Sequence, residues 1–494
     1  MDTSSAVPEK RLWRPIVIFL LAFLTLVTIS KFVDPHCTLD ASYYHVMASQ
    51  LDQGEGFTEP VIWQHLNHYD SLEHPMDYWM PLGIIAYHIT RYITGAQNEL
   101  YINFFLWSLL AVLIFNEIYK FTRSGIFAWL GCFMFIFQGR NLCYLLTTDN
   151  CAFSATIGFF LIKTISEKKD SWKITAIISG INSLLRIEGL LFAVFTGFLE
   201  YRKTRSLKVA ILFFAIVVIV ISPWVIRNLT ILGKPWTSNT KALFLESYKD
   251  FFDDGFSGNF KSFINQGFAK IAKQRLSGFI HSLVDLFIMP SIFVMFPLLF
   301  AGTVIMWDNF GRYFVLFLTF SLSICSLIFP LQTEFGTAMH ISAMFYPFFA
   351  ILSCVGLNFL VVKYSFSSGF KLAFASIIIA WCLLISVAFI FRFNSVTSEK
   401  ENPYKDLLRS IELKKTDRIV SHRPVLVYRL SGCHGVLGSN LTTSSPVTMA
   451  DRYDCNVIIT DLRNLHKEKI SESDWELIDV QPLLRVYRRK TPAS

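Results

Sequence analysis

Acidic, aromatic and imidazole side chains crowd one stretch of the chain, residues 34–81, which reads DPHCTLDASYYHVMASQLDQGEGFTEPVIWQHLNHYDSLEHPMDYWMP and holds five of the eleven histidines. Within it Asp40, followed by Tyr43 and Tyr44, offers a carboxylate able to take a proton from an acceptor hydroxyl or amine. The same residue, leading into ASYYHVMASQL, equally suits a helix N-cap. At 73–81, EHPMDYWMP has two prolines, Pro75 and Pro81, that stiffen the backbone and a membrane-interface pair, Tyr78 and Trp79, which would set Glu73 and His74 at the level of lipid headgroups. The alternative there is an aromatic anchor with solvated charges. Two further clusters lie downstream. Thr147-Thr148-Asp149-Asn150 again offers a carboxylate or a cap, and PWVIRN, with GKPW after it, carries Arg227 and Lys234. A guanidinium can grip two phosphate oxygens at once, or it can simply snorkel to lipid headgroups. Taken together, Asp40, Glu73 and Asp149 are candidate base and acceptor-orienting groups, and Asp40 with Asp149 is a candidate ligand pair for a divalent metal ion. His74 and Arg227 are candidate partners of an anionic leaving group. His65, His68 and His74 match no standard zinc spacing.

These residues must be held by a membrane scaffold. Of the 494 residues 53% are hydrophobic and only 17% charged, against about 25% charge in soluble domains. Apolar runs near 20 residues recur, long enough to cross about 30 Å of hydrocarbon. The reading is eleven transmembrane helices, near 15–33, 99–119, 124–140, 151–165, 173–186, 189–201, 208–226, 277–303, 313–331, 339–361 and 372–393. The net charge of +8 falls mainly in short loops, where it orients the chain and does not mark a nucleic-acid surface. Lys10, Arg11 and Arg14 put the N-terminus in the cytoplasm, with the first span kept as an anchor. Residues 80–95 carry His88 and Arg91 and are expected to lie in the interface. With that choice Lys120 and Arg123, Lys168, Lys169 and Lys173, and Arg202, Lys203 and Arg205 all become cytoplasmic. The two spans around Arg186 and Glu188 are short enough for a hairpin that stops before the far face. Residues 227–276 are amphipathic in places, as expected of a segment on the external surface.

From 394 the charge rises and short β-rich runs (417–421, 456–461, 483–489) alternate with helical stretches. The expectation is a domain pair: 1–393, including a first external loop at 34–98, and a small α/β domain at 394–494 outside the membrane. The latter shows neither a phosphate loop nor G-x-G-x-x-G. Cys433 and Cys455 both fall in it, and spacing alone does not pair them.

At the four motifs the chain resembles the GT-C superfamily of membrane glycosyltransferases, in the branch of the protein O-mannosyltransferases and the lipid A aminoarabinose transferase. DASYYHVMASQLDQGEGF is similar to the acidic motif after the first span, although Ala41 stands where the family often has a second acid. EHPMDYWMP resembles a Glu-Lys-Pro-Pro segment, with His74 in place of a phosphate-binding lysine. TTDN is similar to the second acidic motif, PWVIRN to a lipid-phosphate-binding arginine segment, and EFGTAMH, ending in His340, to a Gly-Thr-Phe-Met-His element lining the site. The resemblance implies inverting transfer of a sugar from a polyprenyl-phosphate donor to a glycan, lipid or protein acceptor at the external face of a bacterial inner membrane. It implies Asp40 as general base, Glu73 and Asp149 orienting the acceptor or a divalent ion, and a substrate-binding set of Tyr43, Tyr44, His74, Trp79, Arg227, Lys234 and His340. Two other classes fit some features. A transporter or flippase of lipid-linked sugars would use the Arg186–Glu188 pair, and a membrane anchor would present the C-terminal domain to a partner.

Overall fold

The computed structural model describes residues 13–167, 171–256, 258–288, 295–334, 336–438, 442–462, 470–471 and 473–490. Lys10, Arg11, Lys168 and Lys169, and the middle of the expected 277–303 span, lie outside the described residues. Among the described residues six helices are long and apolar enough to cross a membrane: Trp13–Ser30, Tyr101–Thr122, Leu207–Leu232, Trp307–Ile328, Thr337–Lys363 and Ser368–Ser410. The chain is a multi-pass membrane protein. Gly125–Ile136, Cys151–Ser166 and Phe296–Ile305 are shorter apolar helices beside them.

Helix burial follows position in the bundle. Tyr346–Lys363 is apolar around most of its circumference and sits at the centre, against Phe296–Ile305 and Gly125–Ile136. A pair of glycines sets that first crossing. A Cβ at Gly302 would fall 1.9 Å from the Leu352 carbonyl, and one at Gly356 would fall 2.0 Å from that of Leu298. The two backbones therefore touch where any side chain would force them apart. Trp13–Ser30 and Leu207–Leu232 are apolar too, but most of their surface is left for lipid.

Leu82–Thr94 spans 13 residues, about 20 Å at helical rise and too short to cross. Ile89, Tyr92 and Ile93 are exposed along it, while His88 and Arg91 reach Asp52 on the Leu39–Gln53 helix. This amphipathic character suits an interfacial helix. The expected span at 313–331 is interrupted: Arg312–Ser323 gives way to a π-helical turn at Ile324–Ile328, and another such turn, Trp307–Gly311, where Asn309 leaves helical geometry, precedes it.

Ser368–Ser410 runs for 43 residues, about 65 Å, twice what the hydrocarbon requires. Its far end buries Tyr404 and Leu407 against a six-stranded sheet. Across that sheet the strands are Val61–Ile62, Gly435–Leu437, Ile419–Ser421, Val457–Asp461, Leu484–Arg489 and Trp475–Val480. The first four are parallel, and the last two pair antiparallel. Val61–Ile62 comes from the loop after the first span, so that loop and the C-terminal region share one sheet. Cys433 and Cys455 are free, buried thiols in different apolar clusters, so the structure contains no disulfide between them.

Candidate active site

Thr38, not Asp40, caps the Leu39–Gln53 helix: its hydroxyl accepts a hydrogen bond from the Ala41 amide at 3.1 Å. Asp40 is thereby left free in the first turn, where the helix dipole favours an anion, with its carboxylate 24% exposed.

Asp149 lies in a buried strap between the helices Arg140–Leu145 and Cys151–Ser166. The strap is stitched to its surroundings through its own polar groups. Thr148 donates to the carbonyls of Ala41 (2.7 Å) and Pro35, which ties the strap to the start of Asp40's helix. Tyr87 donates to the Asp149 carbonyl at 2.7 Å, Asn103 to that of Thr147 at 2.9 Å, and the Asn150 amide to the Tyr44 hydroxyl. Gly83 lets the interfacial helix come close, since a Cβ there would lie 2.3 Å from Asn150 Oδ1.

His340 joins the two carboxylates. It rides on the short Thr337–Ser342 helix, entered through Gly336 at φ +132°. Its Nδ1 stands 2.9 Å from Asp149 Oδ1 and its Nε2 3.3 Å from Asp40 Oδ2. An imidazole thus fills the gap between acids from two distant parts of the sequence. Asp40 and His340 line a cleft with Trp63, Tyr78, Trp79, Arg186, Glu188 and Tyr248. Arg186 pairs with Glu188 at 3.0 Å and lies 5.8 Å from the Trp79 ring centre. These two residues form the turn between Trp172–Leu185 and Gly189–Thr204. Ile187 between them points instead into an apolar groove walled by Leu190, Ile221, Trp224 and Trp236.

Other expected residues fall elsewhere. Glu73 does not share the cleft with Asp40. Thr58–Glu59 pairs antiparallel with His74–Pro75, with Glu59 opposite His74, and strand alternation turns His74 inward and Glu73 out. Glu73 and His74 border a separate cavity of 640 Å³ with Arg418, His434, Arg452 and Asp454. Arg227 also stands outside the cleft. Its guanidinium donates to the carbonyls of Met76 (2.6 Å) and Phe57 (2.9 Å) and lies over Trp224, so it secures the loop. The arginine beside Asp40 is Arg186. Lys234 reaches Asp77 at 4.0 Å. Tyr43 donates to Glu59 at 2.7 Å, behind the cleft wall.

Glu59 and Asp77 are the functional candidates that sequence reasoning missed. Glu59, fully buried, accepts from Tyr43 and Trp63 and faces His74 Nε2 at 3.6 Å. Burial and the Glu59 charge raise the Asp77 carboxyl above its ordinary range. Burial alone would lower the His74 imidazole, but Glu59 outweighs it and raises it. The odd feature in the sequence is a run of acids in a loop that also supplies strands.

For a metal, Asp40 and Asp149 do not form a simple pair, because His340 lies between them. The donor atoms of Asp149, Cys151 and His340 lie within 4.8 Å of one another, and an oxygen, sulfur and nitrogen set fits a zinc-like divalent ion.

No protein-family profile matches the chain, and no curated protein matches it. Solved structures do. ArnT from Cupriavidus metallidurans bound to undecaprenyl phosphate aligns with TM-score 0.53 and 9% identity, over 96% of this chain and 98% of its own. Its apo state gives 0.54 and 10%, over 96% and 97%. The Archaeoglobus fulgidus oligosaccharyltransferase in complex with zinc and sulfate gives 0.49 and 13%, over 90% and 68%. Across nearly its whole length the chain therefore has the fold of ArnT, in agreement with the fold implied by the resemblance at the motifs around Asp40 and Asp149.

Proposed function

We propose that this protein is an inverting glycosyltransferase that moves a sugar from a polyprenyl-phosphate carrier to an acceptor at the external face of the membrane. The observation that carries this is the cleft itself, where Asp40 and His340, with Asp149 behind them, share a wall with Arg186, and where the next residue, Ile187, enters an apolar groove. Such a groove suits an isoprenoid chain, and the arginine suits the phosphate at its end. The N-terminus is then cytoplasmic, and the C-terminal region periplasmic in a bacterial inner membrane. The acceptor is a glycan, a lipid or a protein.

The chemistry is a single displacement. The acceptor oxygen attacks the anomeric carbon as its proton passes to Asp40, whose partial exposure leaves an oxygen open to the cleft. The bond from that carbon to the phosphate oxygen breaks, and the phosphate leaves with the electron pair. His340 and Asp149 hold Asp40 in place, and Arg186 compensates the charge growing on the phosphate. Trp79 and Tyr78 supply flat faces for the sugar. Asp149, Cys151 and His340 are the donors that would hold a divalent ion, and such an ion would supply further positive charge toward the leaving group.

The test is transfer from a labelled polyprenyl-phosphate sugar in detergent, read as release of free polyprenyl phosphate. Asp40→Asn is expected to abolish it. Arg186→Ala is expected to cost about 3–4 kcal/mol in kcat, as for other lost charge-stabilising contacts. Turnover at the wild-type rate in Asp40→Asn would overturn the reading. Lipid analysis of a deletion strain would identify the accumulating donor and hence the sugar.

A further inference from the structure

A second convergence of metal-binding side chains lies away from the cleft, where three segments of the chain meet. His36 stands in the turn after the first span, His45 on the Leu39–Gln53 helix, and Glu99 just before the Tyr101–Thr122 helix. One ligand atom from each lies within 4.8 Å of the other two. His45 Nδ1 is 2.8 Å from Glu99 Oε1, and His36 Nε2 contacts the same oxygen. The two rings lie side by side with centroids 3.9 Å apart. Glu99 is buried, while the imidazoles are 19% and 24% exposed. The two imidazoles are thus within reach of solvent, from which an ion and a water would come.

The surroundings are built for this. Glu99 turns its other oxygen to Arg91 at 3.0 Å, a contact from outside the donor set that would fix the carboxylate's orientation. Arg91 also lies 3.3 Å from His45, but Asp52 accepts from its Nε at 2.6 Å and offsets its charge. Oε1 of Glu99, the oxygen that does not meet Arg91, is the one offered to a cation. The backbone of His36 is anchored at both ends: its amide donates to Asp34, and its carbonyl accepts from Ser42 and Arg429. Tetrahedral zinc with bonds of about 2.0–2.2 Å needs donors about 3.3–3.5 Å apart, so His45 Nδ1 and Glu99 Oε1, now 2.8 Å apart, would open by about 0.5–0.7 Å to admit it.

We propose that His36, His45 and Glu99 form a zinc site, completed by water, that clamps the end of the first span and the helix carrying Asp40 onto the start of the Tyr101–Thr122 helix. The site is a brace, separate from the Asp149–Cys151–His340 donors of the cleft, and it holds whether or not the transferase reading does.

The full chain, purified in detergent by a tag that binds no metal, should retain zinc by mass spectrometry. It should lose one equivalent in His45→Ala and in Glu99→Gln and keep that equivalent in Cys151→Ser. After chelator treatment, added zinc should raise the unfolding temperature of the wild type and of Cys151→Ser but not of the two site variants. Wild-type protein that holds no zinc and is not stabilised by it would overturn the proposal, even if neither variant folds. Full retention of zinc in His45→Ala and Glu99→Gln, or its complete loss in Cys151→Ser, would overturn it as well.

Discussion

At the scale of single residues, the line from Asp40 through His340 to Asp149 sets two acids around one imidazole. Two carboxylates near one another repel, and a ring with a nitrogen toward each relieves that repulsion and fixes both side chains. His340→Ala should therefore lower kcat by about 10²-fold or more through a misplaced base, with a smaller change in KM; unchanged kcat would remove His340 from the machinery. A second residue-scale effect concerns pH. Glu59 raises the His74 imidazole above its unfolded value. The charged histidine therefore contributes stability that is fully present below the unfolded pKa and is lost as pH rises through the folded one. The unfolding temperature of the wild type should fall across neutral pH, and that slope should flatten in His74→Asn. A slope identical in both proteins would count against the pairing. Short patterns mark Asp40, Asp149, Trp79 and His340, which the structure brings near one another. Arg227 was marked in the same way, but it is Arg186 that lines the cleft with Asp40, because the facing of an arginine at a helix end depends on how that helix turns about its axis. Glu59 carried no local pattern at all, since only the strand pairing with His74 makes it a buried partner.

At the scale of elements, the long helices matching the expected spans near 15–33, 99–119, 208–226, 339–361 and 372–393 were legible from apolar length, and the short Leu82–Thr94 helix from its polar interruptions. What escaped was the capping choice at the head of the Leu39–Gln53 helix. Thr38 and Asp40 are both good caps, and the hydrogen bond to Ala41 decides for Thr38. Removing that bond in Thr38→Ala should cost about 1 kcal/mol and disorder the turn bearing Asp40. Thr38→Ser should restore both stability and turnover, measured by thermal unfolding and transfer assays. The interruption of the 313–331 run was equally hidden. Its residues are mostly apolar, with Thr319, Ser321, Ser323 and Ser326 among them, and the π-helical turn at Ile324–Ile328 lies where the Phe268–Leu283 helix packs against it, with Gly278 close to Pro330 and the Cys325 carbonyl. Packing of this kind leaves no periodic trace in the sequence.

At the scale of the whole molecule, composition changes at 394, yet neither the helix nor the sheet divides there. Ser368–Ser410 passes straight through that position, and Val61–Ile62 from the first loop forms the edge strand beside Gly435–Leu437. Trp63 follows that strand directly. It lies parallel to Trp79 with centroids 6.3 Å apart and lines the cleft with Asp40. The C-terminal region also grips the loop through Gln50, which donates to Tyr428 at 2.6 Å, and through Arg429, which is held by Glu401 and donates to the His36 carbonyl. The sheet therefore sets one wall of the cleft. Removing residues 411–494 would strip Val61–Ile62 of its only sheet partner among the described residues and uncover the apolar cluster shared by Trp63 and Val425. The truncated chain should still insert through its apolar helices, but protease should cut within 55–70, and transfer should fall with it. Val436→Lys, which places a charge in a fully buried strand position, should reproduce both effects without shortening the chain. Full turnover in the truncated protein would mean that the cleft wall stands without the sheet, and the C-terminal region would then have to act on something other than Asp40's surroundings.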